Sequence, residues 1–408
     1  MMILSDVVVV GGGPVGLAAA VALRQRGFKV LVADRGCPPI DKPCGEGVMP
    51  DGVSALGRLG VVCDSRAVPL SGIRFSEAGC SAEALFSKHR GLGVRRTVLH
   101  QWLLNRATET GVSLRWGESV RFFNGSGIEV GGEKTVCRWI IGADGRESRV
   151  RRWAGFCQPT KRRTRVGLRQ HFRIEPWTDL VEVHLHDRGQ AVVTPVAADE
   201  ICVSLLANNA HSRAADLLSL YPELTRRLAG AGIAAARGAI CSATTMGSVI
   251  CDRVALIGDA AGAMDAITGE GLSLGFRQAF ALADALAAND MQAYEEAHRQ
   301  LRRLPDLMSR FMLAVGGRAR LRRRILHALN ATPRMMSFGL AVHTGVLPIT
   351  ALPPASTVGF IGRFLIGRSF ERPSARRAAY RPALTGATQT AITRISRIIS
   401  AGRSEKCG

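Results

Sequence analysis

The sequence predicts an α/β fold: a Rossmann-type parallel-sheet domain, an inserted antiparallel β-sheet domain and a basic helical C-terminal region. Three observations predict it. Asp6-Val7-Val8-Val9-Val10 runs directly into Gly11-Gly12-Gly13-Pro14-Val15-Gly16, a β-branched run buried on both faces that ends in a glycine turn. Two later apolar runs, 139–141 and 254–257, each deliver a glycine–acid turn. Residues 165–250 carry alternating apolar segments and no glycine motif, the pattern of antiparallel strands. The expected division is a discontinuous first domain (1–70, 90–164 and 251–315), an inserted sheet domain (71–89 and 165–250) and the C-terminal region (316–408).

The first turn has a physical reading at each position. Gly11, Gly13 and Gly16 form G-x-G-x-x-G. The first glycine permits the tight turn, the second lets backbone approach a pyrophosphate, and the third lets helix pack on strand. Pro14 suits the first position of that helix, whose N-terminus attracts phosphate. The next strand, 29–34, ends in Asp34, an acceptor for a ribose hydroxyl, with Arg35 beside it as a further candidate contact. This is a dinucleotide site; the motif does not distinguish NAD from FAD.

Composition narrows the class. The 408 residues, 47% hydrophobic and 21% charged with 45 glycines, fit a globular α/β enzyme of two domains or one large one. Ten cysteines with no C-x-x-C pair suit a reducing cytosol better than a disulfide framework, and no metal-ligand spacing is present. The start lacks a basic region before its apolar run, carries Asp6 and is broken by glycines, so no targeting segment is expected. No run of 18 apolar residues suggests a membrane span. The expected location is the cytoplasm. Net charge is +21, and residues 317–408 hold 16 Arg and Lys against Glu371 and Glu405. That asymmetry concerns partners and solubility.

Along the chain, 41–52 holds two prolines and three glycines, a loop expected to lie across a ligand, followed by a short helix over 52–60. A short strand at 73–75 precedes a helix over 95–107 with Leu99, Leu103 and Ala107 on one face. The parallel sheet resumes at 112–116, and 120–141 reads as a β-meander. Strand 139–141 then leads into Gly142-Ala143-Asp144-Gly145. Strand 254–257 leads into Gly258-Asp259, and Thr268-Gly269-Glu270-Gly271 opens a long amphipathic helix.

Taken together, these three motifs resemble the flavoprotein hydroxylase and geranylgeranyl-reductase superfamily, whose members fold like p-hydroxybenzoate hydroxylase. The resemblance covers roughly residues 5–315. It implies FAD, with Asp259 on the ribityl hydroxyls and Gly269 and Gly271 bringing N–H groups to the pyrimidine side of the ring. It also implies Asp144 in the second cofactor motif and Arg96 on phosphate or ribityl groups. Elementary chemistry agrees: a helix N-terminus favours a reduced, anionic ring, and an aspartate accepts two hydroxyl protons well. Asp144 and Asp259 also suit a simple turn or helix cap.

The middle region predicts strands at 166–174, 181–186, 191–196 and 201–206, roofing a substrate pocket, and a helix over 212–228 bent or divided by Pro222. His184 and His186 share a strand face but lack a third ligand, so a metal is not expected. The basic run 151–173, with eight Arg and Lys, reads as a solvated loop or as a receiver of NADPH phosphates or an anionic substrate. A helical run over 291–329 follows, then short apolar pieces at 335–347 and 358–366. A basic amphipathic segment at 388–400 reads equally as a solvated tail or as peripheral membrane contact. Nucleic acid is not expected, because aromatic interleaving is sparse.

The resemblance leaves two reactions open. One is NAD(P)H-dependent hydroxylation of an apolar or aromatic secondary metabolite through a flavin C4a-hydroperoxide. The other is reduction of an alkene by hydride from the flavin. Gly262 stands where many hydroxylases carry His, and Ala266 where they carry Pro. Pro43-Cys44-Gly45-Glu46-Gly47 resembles the reductases' Cys-Gly loop, whereas 191–196 lacks their aromatic substrate motif. The monooxygenase is the favoured expectation, with Cys44 and Glu46 as the polar candidates near the ring. A flavin-binding module without turnover is the third reading.

Overall fold

The computed structural model of the chain describes residues 3–123, 128–161, 164–209 and 212–366. Strand β1 (Val7–Val10) is flanked on one side by β2 (Val30–Asp34) and on the other by β4 (Trp139–Gly142), with β3 (Ser113–Trp116) at the edge beyond β2. The strand Val254–Leu256 pairs with β4, and all of these pairings are parallel. The four valines of β1 are at most 8% exposed. A central parallel strand has helices on both faces, which is why its sequence shows an unbroken apolar run instead of alternation.

Helix α1 (Pro14–Arg24) begins at the glycine turn with Pro14 in its first turn, and α2 (Pro50–Leu59) and α3 (Arg96–Glu109) follow. The long helix α4 (Gly271–Ala287) lies against α1. A Cβ on Gly275 would sit 2.4 Å from Val15 Cγ2, so a glycine is what allows that approach.

A second sheet caps the first unit. It contains β5 (Val166–Arg173), β6 (Leu180–His186), β7 (Gly189–Ala197) and β8 (Glu200–Ala207), paired antiparallel in the order β5-β8-β7-β6. The hairpin Gly72–Glu77 and Cys80–Leu85 extends it beyond β6, where Gly72–Glu77 runs parallel to β6. A chain segment from the first third therefore completes the later sheet.

Two local expectations were altered and one was met. The meander is three antiparallel strands (Val120–Phe122, Ile128–Val130, Glu133–Val136), and β4, read as its last piece, leaves it for the parallel sheet. The helix over 212–228, expected bent or divided at Pro222, is divided into Ala214–Leu218 and Pro222–Arg227, with Pro222 in the first turn of the second, where a missing N–H costs nothing. The run over 291–329 is two helices, α5 (Met291–Gly316) and α6 (Ala319–Asn330), parted at Gly317.

The chain continues as α7 (Pro333–His343) and α8 (Pro354–Ile366). Helices α6 and α7 dock on the hairpin: Leu326, Met336 and Leu340 bury with Ile73, Ala82 and Ala84. Arg322 adds a bidentate pair, 2.7 Å to each Glu77 oxygen, and a 2.8 Å bond to Asp187. Arg322 of α6 is thus a buried clamp. The segment at 388–400 lies outside the described residues. Among the described residues no helix is long and apolar enough to cross a membrane.

Candidate functional site

The first turn is shaped by contacts that glycine alone permits. Gly11 has φ +111°, and a Cβ there would fall 2.4 Å from the Ala143 carbonyl oxygen. A Cβ on Gly16 would fall 1.9 Å from the Gly11 carbonyl oxygen. These two serve the protein's own packing. Gly13, the N-cap of α1, is different: nothing lies within 4 Å of its Cβ direction. Open space before a helix N-terminus is a cradle for an anion. Pro14 opens α1 without an N–H of its own to satisfy. His100, fully buried, braces the turn with Nε2 2.8 Å from the Gly12 carbonyl oxygen.

Asp34 ends β2 and turns back onto the same loop. Its Oδ2 accepts from the Gly12 N–H (2.7 Å) and Oδ1 from the Gly36 N–H (2.8 Å). The carboxylate therefore stands beside the phosphate turn, half-buried, where a ribose hydroxyl can reach it. Arg35 is exposed next to it.

At the second motif, Asp144 divides its two oxygens. Oδ2 accepts from Arg149 N–H (2.6 Å) and Val150 N–H (3.2 Å), which is cap work for the one-turn helix Arg149–Trp153. Oδ1 is buried with no partner among the described residues. An orphaned carboxylate oxygen is costly unless a ligand satisfies it.

The third motif rests on a polar scaffold. The Gly258 N–H donates to Gln278 Oε1 (2.9 Å), and Gln278 Nε2 donates to His298 Nδ1 (3.2 Å). Burial, with Arg302 and Arg299 nearby, pushes the His298 pKa down to about 3, so the ring stays neutral and accepts. Arg151 donates to the Ala260 carbonyl (3.0 Å), and Arg302 donates to the Gly262 carbonyl. Gly258 (φ +60°) and Gly262 (φ +107°) bend the chain so that Asp259 is exposed, and its carboxylate has no partner among the described residues.

The three strand-end motifs gather at the carboxyl ends of adjacent parallel strands, where ligands of such sheets bind. Gly269 (φ +67°) and Gly271 complete the far side, at the N-terminus of α4. A Cβ on Gly271 would meet nothing within 4 Å, and one on Gly269 would lie 3.3 Å from Met49 Cε, so the loop after Cys44 faces this turn.

Cys44 and Glu46 sit between the two sheets. Glu46 is 1% exposed and holds a left-handed backbone, φ 59°, which a non-glycine residue adopts only when its surroundings enforce it. Its Oε1 accepts from Arg96 N–H (3.0 Å) and Arg169 Nη1 (3.0 Å), and Oε2 lies 2.6 Å from His171 Nε2. Arg169 also bridges to Asp41, at 2.8 and 3.0 Å. The Cys44 Sγ accepts from the Glu46 N–H (3.4 Å), half-buried. The Arg96 backbone is spent on Glu46, while its buried Nε has no partner. Glu46, His171 and Cys202 offer ligand atoms within 4.8 Å of one another. The Arg169 guanidinium on Glu46 and a Cys202 thiol pushed up by burial and the Glu46 carboxylate make this an ion-pair cluster rather than a metal centre.

The family model described as the FAD binding domain matches residues 5–301. The chain belongs to this family. The flavoprotein resemblance read from the three motifs therefore stands, and the protein is an FAD-dependent oxidoreductase. A menaquinone reductase of Mycobacterium tuberculosis is 29% identical, the match covering 70% of this chain and 78% of that one. A rifampicin monooxygenase of Streptomyces venezuelae is 28% identical over 69% of this chain and 64% of that protein. In structure, a flavoprotein/dehydrogenase from Cytophaga hutchinsonii superposes with a TM-score of 0.75 at 18% identity, covering 88% of this chain and 99% of that one.

The FAD-binding architecture fits the residues present. Gly13 and Gly271 leave open cradles before two helix N-termini, while Asp144 Oδ1 and Arg96 Nε are buried polar atoms without partners. Sequence reasoning missed His100, Arg169, His171, Gln278 and His298. A signal existed for some of them: Arg169 and His171 share one face of β5, and Tyr294, His298 and Arg302 recur at four-residue spacing on one face of α5. The run 151–173, read as a solvated loop or an anion receiver, instead supplies buried braces: Arg151, Arg165 (paired to Asp265) and Arg169.

Proposed function

We propose that the protein is a monooxygenase that draws electrons from NAD(P)H and hydroxylates an apolar or aromatic small molecule. Gly11, Gly13, Pro14, Gly16, Asp34 and Arg35 would hold the adenosine and pyrophosphate half of FAD. Arg96, Asp144, Gly258 and Asp259 would hold its middle, and Gly269 and Gly271 the ring. FAD, when bound, supplies electron storage and oxygen activation. The chain's part is to dry the site, position the substrate and handle a proton. One observation supports this reading most: the buried Glu46–His171 pair at the seam between the two sheets. A paired imidazole and carboxylate can accept a phenolic proton and make the ring electron-rich. Glu46 is the positioning carboxylate in this reading, and Cys44 lines the same loop.

Alkene reduction is the second reading, supported by the extent of the match to the menaquinone reductase and by the Cys44 loop. Reduced holoenzyme mixed with candidate substrate under strict anaerobiosis separates the two. Hydroxylation requires oxygen and incorporates label from ¹⁸O₂; product formed without oxygen overturns the monooxygenase reading. Reduction of the bound flavin by NADPH or NADH, followed by absorbance, tests the donor, and a flavin that neither reduces points to another donor or to a module without turnover.

A membrane-surface location is supported by Val358, Ile361 and Leu365, exposed at 72%, 48% and 69% along α8, and by the basic sequence that follows. Co-sedimentation with anionic liposomes tests it. Binding that is unchanged on removing residues 354–408 excludes this surface.

A further inference from the structure

A second polar cluster lies behind the Gly269–Gly271 turn, used by neither the strand-end motifs nor the Glu46 cluster. Glu270 is 3% exposed, and its Oε2 has no hydrogen-bond partner among the described residues. Ser273, three residues on and 1% exposed, has an unpartnered Oγ. From α7, His343 reaches in. Its Nε2 lies 3.1 Å from the Thr268 carbonyl oxygen, and its Nδ1, buried and unpartnered, lies 3.8 Å from Glu270 Oε2. A carbonyl oxygen only accepts, so Nε2 carries the ring proton and Nδ1 presents a lone pair.

Burial holds the His343 pKa below its ordinary value, against the Thr268 carbonyl and Asp51, so the ring is neutral. An ionised Glu270 would then set acceptor against acceptor. A protonated Glu270 presents a donor, and a small side-chain rotation brings the pair to hydrogen-bond length. The other charges facing the cluster are Asp51 of α2 and Arg277 of α4, 3.2 Å apart and paired to each other. Burial raises the Glu270 pKa, Arg277 opposes it and Asp51 adds to it, leaving the carboxyl at about 8.

We infer that Glu270 and His343 are positioning residues that share one proton, keep the N-terminal end of α4 free of negative charge, and so set how the flavin at this turn responds to pH. The inference rests on placing the flavin ring at Gly269–Gly271. The helix N-terminus favours an anionic reduced ring, and a carboxylate beside it cancels that potential. Above the pKa of Glu270, two-electron reduction places negative charge near an ionised carboxylate. Two electrons go from the reductant to the ring, and one proton beyond the ring's own goes from solvent to Glu270. His343 lies outside residues 5–301, so the pair ties the C-terminal helices to the cofactor turn.

The test is a reductive titration of the holoenzyme with dithionite and a viologen mediator across roughly pH 6–10, centred on the carboxyl's transition. The potential of the wild type should steepen just above pH 8 by about 30 mV per pH unit, the value of one extra proton per two electrons. Glu270→Gln should lose the step. His343→Asn, whose amide oxygen replaces the Nδ1 acceptor, should keep it, and His343→Leu should move it to lower pH. A step that persists in Glu270→Gln, or is absent in the wild type, overturns the inference. The infrared spectrum gives a readout independent of flavin: a protonated-carboxyl band at neutral pH that Glu270→Gln removes, and whose absence from the wild type overturns the shared proton. Gly271→Val tests the ring placement separately, since retention of FAD by that variant overturns the placement while leaving the infrared band intact.

Discussion

The two ends of the proposed FAD site are built in opposite ways. The adenosine end is local: Gly11, Gly13, Gly16 and Asp34 lie within 24 residues, and backbone contacts at 2.7 and 2.8 Å hold the acid against the turn. The ring end is assembled from afar, with Glu46 from the loop before α2, Arg169 and His171 from β5, and His343 from α7. Local glycine geometry is robust to everything except a side chain in the wrong place. The Glu46–Arg169–His171 cluster is sensitive to single deletions, because removing one partner of a buried ion pair leaves the other unpaired.

The largest effect is expected at the local end. Gly16→Val places a side chain where even a Cβ meets the Gly11 carbonyl oxygen at 1.9 Å, and should yield protein without bound flavin, scored by the absorbance of the purified sample. Gly13→Ala is the matched control, with open space at its Cβ. It should melt within about 1 kcal/mol of wild type but bind FAD more weakly. If the two variants behave alike, the division between packing glycines and cradle glycines is wrong.

Next comes the ring end. Glu46→Gln leaves Arg169 and His171 buried without their shared carboxylate and should cost about 3 kcal/mol in a denaturant melt. Adding Arg169→Met should restore part of that loss, as coupled partners do. Additive losses would show that the cluster is not a unit.

Glu270 contributes a pH dependence with a definite sign. Its folded-state pKa of about 8 exceeds its ordinary value of 4.5, so the folded chain holds this proton more tightly than the unfolded one. Stability is unaffected by the group below 4.5 and falls as pH rises toward 8. Glu270→Gln should therefore match wild type near pH 4.5 and exceed it in melting temperature above pH 8. Equal melting curves at both pH values refute the buried neutral acid.

The smallest effect separates the two aspartates. Asp144→Ala should cost about 1 kcal/mol through the lost Oδ2 contacts as well as weakening FAD, because the carboxylate does cap work. Asp259→Asn, exposed and unpartnered among the described residues, should weaken FAD with stability unchanged. Differential melts with and without added FAD distinguish them.

Legibility followed the same division. The β1 turn, Asp34 and the two later glycine–acid turns were readable because strand, turn and acid are neighbours in the chain, and their spacing carries the geometry. Residues 71–89 were expected in the inserted sheet domain, but nothing in them signalled a hairpin or its pairing with β6, since a strand's sequence does not name its partner. The arginines of 151–173 read as a solvated loop or an anion receiver, and those of 318–324 only as part of a helical run. Arg151, Arg169 and Arg322 are instead buried, and only the carbonyls and carboxylates they meet distinguish them from their exposed neighbours.

The sequence by itself determined the parallel sheet and the glycine turns, because backbone conformation and helix N-termini depend on residues a few positions apart, and its three motifs carried the resemblance that implied FAD. Only the tertiary structure decided which remote side chains meet, Arg169 and His171 on one carboxylate and His343 beside Glu270. Those pairings depend on desolvation and on distances of a few ångströms between segments remote in sequence, and no local pattern encodes them.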